Sequence, residues 1–249
     1  MKGGLELFDQ KVWQPLSYLG LKHKFFNINV YTVLYTWVII IALALVLIPI
    51  YFALKRKPGL VHFVATSFVD YFAGLVKTSL GFFSLTHFTF ITGLFTFILL
   101  CNAISIFPWT EEPTKDLSTT LALGLISFLY IQVYSIKSRG FWDYTKEYFE
   151  PFFIMFPLNV VGKVATVVSL SFRLFGNIFG GVIIAKIFMN AIKGAILTEI
   201  IAIPVNITIT VFFGLFEGAL QAFVFMMLTI TYLSTSMQSK KPRTSGETK

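Results

Sequence analysis

Arg173 stands near the middle of a long apolar run, in the stretch Leu170-Ser171-Phe172-Arg173-Leu174-Phe175-Gly176-Asn177. Insertion scales assign roughly 2.5–3.5 kcal/mol to an arginine at the centre of a bilayer, so such a residue needs a partner or a wet cleft. Its guanidinium, with a pKa above about 12, supplies a permanent positive charge but cannot carry a proton. Snorkelling is the other use of a membrane arginine, and the apolar residues that extend far on both sides disfavour it. Asn177 follows four residues later, on the same helical face. Further along, Glu217 and Gln221 repeat the four-residue spacing. A carboxylate that lines a wet cavity shifts its pKa and exchanges protons. Pairing with Arg173 is the alternative use of Glu217.

Glycines surround both pairs. Gly176 and Gly180 form a small-xxx-small pair that Gly181 extends, and Gly214 and Gly218 repeat the spacing beside Glu217. Such glycines let a second helix approach closely. Lys163 and Lys186 lie nearer the ends of their segment and are expected to snorkel. His62 and His87 flank the surface and are expected to anchor it. Catalytic constellations are missing: there is no phosphate-cradling glycine loop, no metal-ligand cluster and no nucleophile triad. Neither a cofactor nor a metal is therefore expected, and the chain reads as something other than an enzyme. Cys101, the one cysteine, leaves no intrachain disulfide and reads as a small buried hydrophobe.

The elements that must hold these residues follow from composition. Of 249 residues, 56% are apolar and 13% charged, against roughly 25% charged in a soluble domain, so the chain is an integral membrane protein. Twenty Lys and Arg against 12 Asp and Glu leave a net charge of +8, which fits basic loops better than a nucleic-acid footprint. About 20 apolar residues cross a ~30 Å hydrocarbon layer. Five segments meet that length: 33–54, 88–107, 117–136, 152–190 and 197–237. The last two exceed it and must tilt, bend or run along the interface, with bends expected at Pro157 and Pro204 and a turn at Gly194. Asp116 and Ser118 stand where the third helix would take its cap. Between the first two spans, 61–81 gathers Thr66, Ser67, Asp70, Gly74, Lys77, Thr78 and Gly81 on one face and is expected to lie at the membrane surface.

The fold expected is thus all-α, with five membrane crossings and one interfacial amphipathic helix, the last two crossings forming a long tilted hairpin. Residues 1–30 form an external N-terminal segment, 31–237 one membrane domain and 238–249 a cytoplasmic tail. Lys55, Arg56 and Lys57, then Lys137, Arg139 and Lys146, then the basic tail all fall on one side when crossings are counted, which puts the C-terminus inside and the N-terminus outside. No cleavable signal is seen in the N-terminal stretch.

Two stretches then bear a family likeness. Ser169 to Asn177, with Leu220 to Thr229 and Tyr232, resembles the paired signature of subunit a of F-type ATP synthases. Pro113-Thr114 with Asp116 to Thr120, and Pro157-Leu158-Asn159, are similar to other stretches of that family, and the likeness covers roughly residues 30 to 236. It implies a stator of the bacterial plasma membrane whose tilted hairpin faces a ring of c subunits. Its partners would be that ring, b-type stalk subunits and, indirectly, an F1 head. Arg173 would take the place of the family's essential arginine between two offset half-channels, and Asn177, Gln221 and Tyr232 fall on family positions. Val182 and Gly214 occupy positions where an acidic or histidine residue is expected, and Glu217 is the candidate substitute. A stand-alone ion-coupled secondary transporter is the rival reading, though the internal symmetry usual in transporters is missing.

Overall fold

The structure, a computed structural model, describes residues 12–13, 28–55, 59–106, 110, 112–149, 152–191, 204–205 and 207–238. Most of the expected external segment, the Gly194 turn with Glu199, and the tail lie outside these residues. A two-residue antiparallel ladder joins β1 (Val12–Trp13) to β2 (Ile28–Asn29). The remaining regular elements are helical. In order they are α1 (Val30–Leu54), α2 (Leu60–Leu80), α3 (Leu85–Ala103), α4 (Leu117–Arg139), α5 (Phe141–Phe149) and α6 (Phe156–Ala191). A π-helical segment, Val211–Glu217, then runs directly into α7 (Gly218–Gln238).

Helix ends sit where local chemistry stops them. Asp116 caps α4, its Oδ1 accepting from the Ser118 amide at 3.1 Å, and its Oδ2 accepts from Thr32 Oγ1 at 3.3 Å, which fixes the start of α1 beside the start of α4. Gly81, at φ +80°, closes α2 with its amide on the Lys77 carbonyl at 2.9 Å, and Gly140, at φ +86°, separates α4 from α5. Left-handed backbone is what a Cβ disfavours, so glycine fits both turns. Pro157 is no bend: it is the second residue of α6, where its missing N–H costs nothing.

Six helices, α2 among them, are long and apolar enough to cross a membrane, rather than the five expected. The difference is α2. Its mean hydropathy of 1.3 is the lowest of the six but still meets the requirement. Phe72, Val76 and Leu80, at four-residue steps, are buried, while Ser67, Asp70, Gly74, Lys77 and Thr78 are exposed. The chain is an all-helical, multi-pass membrane protein apart from the short N-terminal ladder.

Two apolar clusters hold the bundle together. The first joins Phe72, Val76 and Leu80 of α2 to Ile91, Ile131, Met226, Ile230 and Leu233. The second joins Leu94, Ile98 and Leu123 to Leu170, Leu174 and Ile178 of α6 and to Ala222 and Phe225 of α7. Between α4 and α6 the helices touch at Gly124, where an added Cβ would overlap Ser171 Oγ.

Candidate functional site

Burial of one stripe decides what α6 shows on the other. Leu170, Leu174 and Ile178 recur every four residues and are buried in the second cluster. Phe172, Arg173 and Gly176 are consequently exposed, and Arg173 lies at the middle of this 36-residue helix. No acidic side chain among the described residues pairs with its guanidinium.

Asn177 points instead at the partner helix. Its Nδ2 donates to Glu217 Oε1 at 2.8 Å and to Gln221 Oε1 at 3.0 Å, so both amide protons are used. Gln221 is buried and Glu217 half-buried. The four-residue spacing on each helix thus brings three of the sequence-predicted residues together, and the expected alternative, an Arg173–Glu217 ion pair, is not formed. Glu217 is the last residue of the π-helical segment, a conformation that inserts an extra residue into the turn and recurs at functional sites.

The glycines divide into two groups. A Cβ on Gly181 would lie 2.7 Å from Phe213 Cβ, and one on Gly218 would lie 2.6 Å from Asn102 Cβ. Gly214 is also buried. Gly176 and Gly180 differ, because a Cβ there would meet nothing within 4 Å. The described residues leave that surface open to an added side chain.

Tyr232 is far from Asn177. It comes eleven residues after Gln221, roughly 16 Å along the helix, and lines a cavity of about 130 Å³ between α4, α6 and α7. Ser127, Gln132, Lys163, Thr166, Thr229 and Ser236 contribute its polar lining. Ser127 Oγ is buried and has no hydrogen-bond partner among the described residues. Lys163, expected to snorkel, is half-buried over the rings of Tyr144 and Tyr148, at 4.6 and 4.1 Å. Two electron-rich faces beside it hold the ammonium in place of water. Tyr144 also donates to Gln132 and meets Tyr148 Oη at 2.5 Å. Burial first, then the Tyr148 hydroxyl, raises the Tyr144 phenol above its ordinary pKa, so it stays a protonated donor.

Arg173 therefore stands between two polar regions displaced along α6. Asn177 is about 6 Å beyond it and Lys163 about 15 Å before it, by helical rise. Sequence reasoning missed α5, which brings Tyr144 and Tyr148 to the cavity, and it missed the buried Asn102, whose Nδ2 donates to the Gly218 carbonyl at 3.0 Å and whose Oδ1 accepts from Thr114 Oγ1 at 2.8 Å. His87 is a correction: it is buried, with its Nδ1 2.8 Å from Tyr130 Oη, because α4 packs over the start of α3 and leaves no surface for it to anchor.

The family described as ATP synthase A chain matches residues 33–234. This chain belongs to that family. ATP synthase subunit a of Moorella thermoacetica is 34% identical over 206 residues, 82% of this chain and 88% of that protein. The subunit a of Priestia megaterium is 33% identical over 235 residues, 90% of this chain and 96% of the relative. A third relative, from Propionigenium modestum, is named ATP synthase subunit a, sodium ion specific, and is 35% identical over 173 residues, 64% of this chain and 57% of its own length. As an ATP synthase A chain, the protein is a non-catalytic, multi-pass subunit of the membrane F0 sector of a bacterial enzyme. It works in a complex with other F0 and F1 subunits, the catalytic sites being in F1.

Proposed function

We propose that this chain forms two offset half-channels beside a rotating c ring, with Arg173 held between them to couple ion movement to rotation and ATP synthesis. The observation that carries this is the exposed Arg173 at mid-helix, which pairs with no acid among the described residues and is flanked by polar groups on either side. A mid-membrane guanidinium facing lipid would cost roughly 2.5–3.5 kcal/mol, so the surface that covers it must supply an acid. A c-ring carboxylate is that acid. Its ionised form is favoured while it passes the fixed cation, and the cation bars direct passage from one half-channel to the other.

On this reading Asn177, Glu217 and Gln221 form the inlet, and the cavity lined by Lys163 and Tyr232 is the second half-channel. Each elementary charge moving through ~100 mV delivers roughly 2.3 kcal/mol to the ring. Gly176 and Gly180 offer a smooth surface against which a ring helix can press. Peripheral b-type stalk subunits hold the chain still, and the F1 head is reached through them.

The orientation that fits is an external N-terminus and a cytoplasmic tail, which places the basic loops inside. In that frame α2 lies along the cytoplasmic interface and the other five helices cross. The 25 residues of α1 start beside Asp116 and rise about 37 Å, so α2 begins at the opposite side. Near that side Ser234, close to the end of α7, donates to the Ser79 carbonyl at 2.6 Å, close to the end of α2. This bond supports the reading in which both ends of α2 lie on one side.

Purification tests the assignment. Tagged and extracted in mild detergent, the chain is expected to bring a multi-copy c ring and two stalk subunits with it. A chain that purifies alone and catalyses solute uptake in proteoliposomes would overturn it. The assay is run with and without sodium, since one relative is named sodium ion specific.

A further inference from the structure

The cavity between α4, α6 and α7 has two unlike ends. Along α6 its lining runs from Leu170 back to Lys163, away from Arg173, and along α4 from Gly124, which packs on Ser171, to Gln132. Lys163 therefore marks the end remote from Arg173. Among the described residues it is also the one charged side chain in the lining.

Helix α5 holds its ammonium there. Tyr144 Oη gives its proton to Gln132 Oε1, so it accepts from Lys163 Nζ at 3.4 Å. The rings of Tyr144 and Tyr148 lie 4.6 and 4.1 Å from the same nitrogen. Asn159, one turn before Lys163, donates to the Tyr148 carbonyl at 2.9 Å and ties the end of α5 to the start of α6. Neutral groups thus stabilise the cation without cancelling its charge.

The charged groups around the cavity leave that charge uncompensated. Arg139, at the end of α4, bonds Glu147 of α5 at 2.6 Å, and Lys146 lies 4.0 Å from Asp143 on the exposed side of α5. The lining from α4 is neutral, and α7 contains no Lys, Arg, Asp, Glu or His, its titratable contribution being the phenol of Tyr232. On α6 itself the next cation is Arg173.

We propose that Lys163 is a fixed cation of the second half-channel, held by the positioning residues Tyr144 and Tyr148, and that its field favours release of a proton from a ring acid facing this cavity. The proposal rests on the half-channel reading above. A fixed positive charge stabilises the ionised acid and opposes its reprotonation from the same side. Lys163 is about 15 Å from Arg173 by helical rise, and one unit charge at that distance, with an effective dielectric constant of about 20 to 40, moves a titration by about 0.4 to 0.8 pH unit.

Inverted vesicles carrying the assembled complex test this, because on the orientation proposed ATP-driven pumping loads the ring through this cavity. The readout is the alkaline pH at which dye quenching falls to half its maximum. Lys163→Gln is expected to raise that midpoint by about half a pH unit, so that the variant outpaces the parent at alkaline pH, which a poorly folded chain would not do. Lys163→Arg keeps the charge and is expected to stay within about 0.2 unit of the parent. Replacing Tyr144 and Tyr148 together by Leu removes both rings and is expected to raise the midpoint as well, whereas replacing both by Phe keeps the rings and is expected to raise it less. A Lys163→Gln midpoint less than about 0.2 unit above the parent's overturns the proposal, as does an equal rise in Lys163→Arg. A Leu pair that moves no further than the Phe pair overturns the holding role of α5. Thr166→Cys in a Cys101→Ser background, treated with a membrane-impermeant thiol reagent, separates the two layers of the reading. Pumping that survives this modification removes the half-channel and the proposal with it. Pumping that is blocked, together with an unmoved Lys163→Gln midpoint, leaves the half-channel standing and removes only the role of Lys163.

Discussion

Asn177 Nδ2 lies 2.8 Å from Glu217 Oε1, joining the middle of α6 to the last residue of the π-helical segment. Glu217→Gln keeps the size and one acceptor oxygen but removes the titrating group. If this carboxylate loads the ring, ATP-driven acidification of vesicles is expected to fall about tenfold or more, the scale on which a proton-transferring side chain acts. Glu217→Asp should retain an intermediate rate. Full-rate pumping by Glu217→Gln would remove the residue from the inlet.

Gly181 and Gly218 are tight where Gly176 and Gly180 are open. Alanine at either tight position overpacks the helix contact by about 1–3 kcal/mol. The helix-propensity gain of alanine over glycine is at most about 1 kcal/mol, so the clash wins. Gly181→Ala and Gly218→Ala should both lower the unfolding temperature of the detergent-solubilised chain. By contrast, Gly176→Ala and Gly180→Ala should leave it unchanged or raise it, yet reduce the c ring recovered with the tagged chain. Normal ring recovery with both open positions filled would show that this surface meets no rotor.

Thr166 and Ser236 line the cavity that also holds Lys163 and Tyr232. A cysteine at either position should react with a membrane-impermeant thiol reagent added to inverted vesicles, which present the cytoplasmic side. The native Cys101 is completely buried and should stay silent. Labelling only in right-side-out vesicles would reverse the orientation, and no labelling in either would close the proposed half-channel.

Much of this arrangement was legible in the sequence where spacing carries it. Arg173 with Asn177 and Glu217 with Gln221 sit four residues apart, and a helix turns that spacing into a shared face. Asp116 announced the start of α4 for the same local reason. The π-helical segment was not legible, because one extra residue in a turn leaves no mark on the hydrophobic pattern of Val211–Glu217. Asn102 reads in the sequence as a lone amide in an apolar run, because the carbonyl it bonds, that of Gly218, lies 116 residues away. Nine-residue α5 was hidden in a basic loop, and without it Lys163 looked like a snorkelling lysine rather than one held over Tyr144 and Tyr148.

The role of Arg173 is tested most directly by ATP-driven quenching of a pH-sensitive dye in vesicles carrying Arg173→Ala or Arg173→Lys. Alanine removes the fixed cation, and lysine keeps a charge but loses the planar fork and the stable protonation of a guanidinium. Both variants are expected to assemble, to show no dye quenching, and to retain ATP hydrolysis once the F1 head is detached. Quenching at the parent rate in either variant would contradict the coupling of ion passage to rotation through this arginine.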